Sequence, residues 1–243
     1  MNLWQTTAAD KMAAFITDFF PASKVNFAGS MLDSSSLDVF SDVDMKISLS
    51  DNIAVNMEQL IKALSEQFHG VFGYQVCTGD GDDLLRICFD NGWRFDLTFI
   101  YPLPPARQTA DASFTNKINE TVHLFWFLSS LILAKLGRKD FLIAAHLALE
   151  LCQLSIVVQM LIRDEEMKTN IHRFGNEEDV PILHSLICDQ DDTEHQILHM
   201  LFHAAGQMDI TAKQLDDNYC DKRDTLKAFY CFKYTKPIAA TLP

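Results

Sequence analysis

Asp42 and Asp44 stand two residues apart at the head of a strand-like run, Asp42–Leu49, and eleven residues separate Asp42 from the dipeptide Gly29-Ser30. A β-strand turns successive side chains to opposite faces. That spacing therefore sets both carboxylates on one face, with Val43, Met45, Ile47 and Leu49 on the other. Carboxylates held side by side repel each other and lose solvation, a cost that a bound divalent cation offsets. The Gly29-Ser30 turn offers backbone N–H groups and a hydroxyl with little bulk, which suits close approach to a phosphate. A third acid, Asp96, lies in Trp93–Ile100, where Trp93, Phe95, Leu97 and Phe99 share one face and Arg94, Asp96 and Thr98 the other. These residue types at this spacing point to a site for a metal-bound nucleotide.

The elements that must position them alternate between strand and helix. Ala8–Phe20 carries apolar residues at helical steps and ends at Pro21. Lys24–Ala28 reads as a short strand running into Gly29-Ser30, and Met31–Ser41 as a loop rich in Ser and Asp. After the Asp42–Leu49 strand, a helix is predicted from about Asn56 to Phe68, then a strand at Tyr74–Thr78. Gly79–Asp83 lacks the ligand order and closing Glu of a calcium loop and reads as a solvated acidic turn. Leu84–Phe89 and Trp93–Ile100, joined by Asp90-Asn91-Gly92, form the clearest hairpin. Pro102-Leu103-Pro104-Pro105 ends the sheet pattern. Beyond it only helices are predicted: Asn119–Leu136, Asp140–Ile162, Asp179–Ile187, Asp192–Gly206 and Ile210–Tyr230. The expected fold class is α+β, with an α/β domain over 1–105 and an all-α domain over 116–243.

Composition bounds the function. The 243 residues carry a formal charge of −13, which argues against a nucleic-acid backbone as partner and suits a small cationic one. Met1–Asp10 shows no basic head before an apolar core, so no secretory signal is expected, and a cytoplasmic setting follows. The six cysteines show no C-x-x-C pairing and read as reduced thiols. Val122–Ala134 is too short to span a bilayer. Phe141–Ile162 is long enough but contains His146, Glu150, Gln153 and Gln159, so both runs read as buried helices and no membrane partner is expected.

Gly29-Ser30, eleven residues, Asp42-Val43-Asp44 and the later Arg94-Phe95-Asp96-Leu97-Thr98 together resemble the nucleotidyltransferases of the DNA polymerase β superfamily, and within it the aminoglycoside (streptomycin) 6-adenylyltransferases. Phe125-Trp126 and Leu136-Gly137-Arg138-Lys139-Asp140-Phe141-Leu142 are similar to that family's segment after its catalytic domain, and Leu201–Leu215 is so more loosely. The resemblance implies a mixed sheet flanked by helices and followed by a helical bundle. It implies transfer of a nucleoside monophosphate from a Mg²⁺-bound nucleoside triphosphate, ATP being the expected donor, onto a hydroxyl. Asp42 and Asp44 match the metal pair, Asp96 the third carboxylate and metal ligand or general base, and Gly29 and Ser30 the phosphate-contacting turn. Met31-Leu32-Asp33 departs from the Arg or other polar residue usual after the Gly-Ser. Arg86, Arg94, Lys46, Arg138 and Lys139 are the candidates to neutralise phosphates in its place. His146 departs from the acidic or amide residue expected in the helical half.

Glu150, mid-helix in an apolar run, is a candidate for binding a cationic acceptor. His195, His199 and His203 would line one side of a helix; no acid or Cys accompanies them at zinc-ligand spacing, so they read as a half-buried packing or solvent face. Phe125, Trp126 and Phe127 are expected in a core. His172-Arg173 beside Gly175 reads as a helix end, where contact with a phosphate and C-terminal capping account for it equally well. The alternative to an enzyme is a protein of this fold without catalysis that binds or regulates, and a third reading is modification of a protein or a nucleic-acid end. A monomer and a homodimer are both compatible with the sequence.

Overall fold

The computed structural model describes residues 4–33, 35, 37–50, 55–103, 114–167 and 192–234. It divides into two compact units, Met1–Asp111 and Ala112–Pro243.

In the first unit, five strands form one mixed sheet in the order β1-β2-β5-β4-β3: β1 (Lys24–Phe27), β2 (Val43–Ser48), β3 (Val71–Thr78), β4 (Asp82–Phe89) and β5 (Arg94–Ile100). Only the central β2/β5 pair is parallel; the others are antiparallel. Helices α1 (Trp4–Phe19) and α2 (Met57–Gln67) supply Ala8, Met12, Ile16, Leu60 and Leu64 to a core shared with Val43, Met45, Ile47, Leu85, Phe95, Leu97 and Phe99. The period-2 alternation of β2 and β5 thus commits one sheet face to helices and leaves the other polar. The α2 helix begins at Asn56, whose side-chain oxygen accepts from Gln59 N at 3.0 Å.

Most predicted elements of this unit are present with shifted ends. The first helix starts at Trp4 rather than Ala8, and β3 extends back to Val71. The acidic turn is a correction. Asp83 is 7% exposed, inside β4, and its carboxylate accepts from the Tyr101 hydroxyl. A phenol donor in an apolar strand makes burial of that acid affordable.

The second unit contains α3 (Phe114–Gly137), α4 (Phe141–Met167), α5 (Thr193–Leu215) and α6 (Arg223–Tyr234) among the described residues. Phe125, Trp126 and Phe127 are fully buried, as expected. By contrast, α4 is not the buried helix read from its composition. Ala144, Ala148, Leu151 and Val158 are buried, but Leu142 is 84% exposed and Leu149 62%. By length and composition α4 is apolar enough to cross a membrane.

The single helix expected over Ile210–Tyr230 is two. Asp216 accepts from Asn218 N at 2.9 Å through its side chain and from Tyr219 N at 2.9 Å through its carbonyl, a local turn that competes with helix. Asp209 then restarts the chain, accepting from the Tyr219 hydroxyl and from Lys222 N and Arg223 N at the head of α6. Gly206 does not end α5, which continues to Leu215. The helix expected at Asp179–Ile187 and the His172-Arg173 helix end lie outside the described residues. All the described cysteines are free thiols.

Candidate functional site

The parallel pairing of β2 with β5 sets Asp44 directly beside Asp96. Asp42 immediately precedes β2, and Gly29 lies against the Asp44 carboxylate: a Cβ built on Gly29 would stand 2.1 Å from Asp44 Oδ2. Gly29 also has φ +54, so glycine is required there by both conformation and space. Ala28 N donates to Asp44 O at 2.9 Å and fixes the approach. Gly29–Leu32 forms a 3₁₀ turn containing Ser30, and within it Gly29 lies against Asp44.

The acids do not form a ready-made metal cage. Among the described residues, no group of three His, Cys, Asp or Glu side chains is arranged to hold a metal ion. Asp44 and Asp96 meet in register and Asp42 immediately precedes β2, while the carboxylates of Asp42 and Asp96 are turned to arginines. Arg94 Nη2 lies 3.2 Å from Asp42 Oδ1, and Arg86 Nε lies 3.0 Å from Asp96 Oδ2. Arg94 is only 2% exposed and also donates to Phe40 O. The reason is charge balance: carboxylates removed from water take the nearest cations.

Those pairings leave the site short of cations. Burial is the largest influence on Asp96 and outweighs Arg86; with the charges of Asp42 and Asp44 it raises the Asp96 pKa to about 6. Asp44 is also raised, first by burial and then by Asp42, against the pull of Arg86. Asp96 Oδ1 is buried with no hydrogen-bond partner. Asp42 Oδ2 and both Asp44 carboxylate oxygens likewise make no hydrogen bond among the described residues. Each acid therefore keeps an oxygen for a further cation. The donor set, all hard oxygens from three carboxylates, fits Mg²⁺.

Gln5 is a positioning residue that the sequence reading missed. It is fully buried, and Nε2 donates to Asp38 O at 2.6 Å and Ser41 O at 3.0 Å, clamping the loop that delivers Asp42. Trp4 Nε1 donates to Val39 O at 3.1 Å beside it. The available signal was a polar side chain on the same helical face as Ala8, Ala9, Met12 and Ile16. Of the proposed phosphate neutralisers, Arg86 and Arg94 are engaged by acids, while Lys46 is exposed on the Asp44 face of β2. Leu32 is 74% exposed, and Asp33 turns back to Ser35 N and Oγ, which holds its carboxyl below the usual range. Arg138, Lys139 and Glu150 belong to the second unit, with Glu150 half-buried on α4.

No family model and no curated protein matches the sequence. Among solved structures, the chain is similar to an aminoglycoside 6-adenyltransferase from Bacillus subtilis, at 13% identity over 96% of this chain and 99% of that one, with a TM-score of 0.38. It is also similar to a structure of a GLD-2/RNP-8 complex, at 11% identity over 84% of this chain and 77% of that one, with a TM-score of 0.27. Likenesses of this size leave the site to be argued from its own residues.

Proposed function

We propose that the protein is a metal-dependent nucleotidyltransferase. It would move a nucleoside monophosphate, with ATP the expected donor, onto a hydroxyl of a small acceptor such as a cationic aminoglycoside-type compound. One observation carries this reading: Asp44 and Asp96 lie in register on adjacent parallel strands, with unengaged oxygens and a glycine turn against Asp44. Asp42, Asp44 and Asp96 would hold Mg²⁺. When bound, the ion neutralises charge on the phosphoryl group and stabilises the attacking and leaving oxygens. Gly29 and Ser30 give the phosphates close approach to the backbone, and Lys46 supplies a cation. Asp96 would complete the metal site, act as general base to the acceptor hydroxyl, or both. The acidic charge of −13 favours a cationic acceptor and disfavours nucleic acid, and a cytoplasmic setting is part of the proposal.

The test is incubation with Mg²⁺, labelled nucleoside triphosphates and a panel of aminoglycosides, reading pyrophosphate release. Turnover in the wild type and none in Asp44→Asn is the expected result. A second reading, a non-catalytic binding module, is favoured by the arginines already seated on Asp42 and Asp96 and by the exposed Leu32 where a phosphate cradle would be polar. Absence of triphosphate binding with either Mg²⁺ or Mn²⁺ decides for that module.

A further inference from the structure

A shallow, open hollow of about 460 Å³ lies between α5 and α6 of the second unit. From α5 it is lined by Leu198 and Phe202 with His195, His199 and His203, and from α6 by Arg223 and Lys227. No acid lines it, although His195 and Lys227 are paired at its edge with Asp192 and Asp224 at 2.7 and 2.8 Å.

We propose that this hollow binds a small amphipathic anion, a phosphate or carboxylate carried on a flat aromatic body. Its floor and its rim differ in kind. Leu198 and Phe202 are half-buried and apolar, and Phe202 is fixed by the edge of Tyr230 at 6.3 Å and 85°. The His199 and His203 rings are parallel, 5° apart in plane with centroids at 6.2 Å. Burial, then the neighbouring His199, holds the His203 imidazole below its ordinary pKa, so it contributes surface rather than charge at neutral pH.

The rim supplies the charge. Arg223 is anchored through its backbone N–H to Asp209 Oδ2 at 3.1 Å, while its guanidinium makes no hydrogen bond or ion pair among the described residues. That guanidinium lies over Gly206: a Cβ there would stand 3.0 Å from Arg223 Nη1. A glycine inside a helix costs about 1 kcal/mol relative to alanine, and a methyl group here would press the arginine tip aside by a few tenths of an ångström. Lys227 is paired with Asp224 at 2.8 Å, but both are solvent-exposed, and such pairs exchange partners at little cost. The three histidines do not form a zinc site: no group of three metal-binding side chains is assembled among the described residues.

The test is calorimetric titration of the full chain, without metal, using phenyl phosphate, benzoate, inorganic phosphate and benzyl alcohol, with the histidine side-chain NMR signals followed in parallel. The expected result is saturable one-to-one binding of phenyl phosphate or benzoate, with shifts confined to His195, His199 and His203. Inorganic phosphate and benzyl alcohol should each bind at least about tenfold more weakly, because each satisfies only half the site. Which of the two aromatic anions binds tighter assigns the head group. Arg223→Met should weaken binding about tenfold. Gly206→Ala should weaken it too, with a melting temperature unchanged or raised, a combination that misfolding does not produce. Lys62→Met, on the exposed side of α2, should bind as the wild type does. Equal binding of inorganic phosphate, equal binding of benzyl alcohol, or wild-type affinity in both the Arg223 and Gly206 variants would overturn the proposal.

Discussion

At Gly29, two requirements coincide in a single hydrogen atom. The backbone is left-handed, and the space a methyl group needs is occupied by Asp44 Oδ2. Gly29→Ala should lower stability by about 1–3 kcal/mol in urea unfolding, from strained φ and displacement of the carboxylate. It should also reduce any Mg²⁺-dependent pyrophosphate release. Arg94 is the matching case for charge. It is 2% exposed and serves both Asp42 and Phe40 O, so Arg94→Met leaves an acid and a carbonyl without their cation. Breaking a buried pair from one side costs about 3–5 kcal/mol, and Asp42's 22% exposure places the loss near the lower figure. Lys46 lies outside these pairings. Lys46→Met should leave the melting temperature unchanged and raise the KM for triphosphate in the pyrophosphate assay.

Among the elements, α6 depends on a residue of α5. Asp209 is 7% exposed and accepts from Tyr219, Lys222 N and Arg223 N, so Asp209→Ala removes the cap of α6 and strands three donors. The expected loss is about 2–3 kcal/mol by denaturant unfolding. Burial also depresses Tyr219's acidity: its pKa is raised, first by desolvation and then by Asp209, and the phenol remains a donor to that acid. His123 on α3 gives this unit a pH dependence. Burial, and secondarily Lys222, lowers its pKa from 6.5 to about 3. The unfolded chain takes up the proton first, so stability is fully present above pH 6.5 and falls as the pH drops towards 3. By about pH 5 the loss from this one group should be about 2 kcal/mol, and His123→Phe should flatten that part of the profile.

For the whole chain, charge is the governing quantity. Thirteen uncompensated negative charges repel one another at neutral pH and oppose compaction. Added salt shortens the screening length from about 30 Å at 0.01 M to about 8 Å at 0.15 M. The melting temperature should therefore rise by a few degrees over that range; a fall would show that the local ion pairs outweigh the net repulsion.

Alternation and punctuation made much of the first unit legible. Aromatic and branched residues at every second position of Trp93–Ile100, and the Asn91-Gly92 turn, required a hairpin with Asp96 opposite the core face, and burial follows that alternation from Phe95 to Phe99, with Arg94 buried on the other face. The same local logic placed Asp42, Asp44 and the Gly29-Ser30 turn in one neighbourhood. Local pattern could not show that β2 and β5 are parallel neighbours, because strand order depends on which surfaces fit together after collapse. Nor could it show that Gln5 holds the loop before Asp42, or that Asp83 is buried against Tyr101. Each joins positions that interact only through the tertiary fold. Asp209 is subtler, since its partners lie within fourteen residues. An apolar helical period continues through Ile210–Tyr230, and only the competition between that period and the Asp216 turn ends the helix. The sequence by itself determined which residues could meet a metal and a phosphate; the tertiary structure decided which counter-ions hold them, because burial sets the demand for charge and the fold sets what lies within reach.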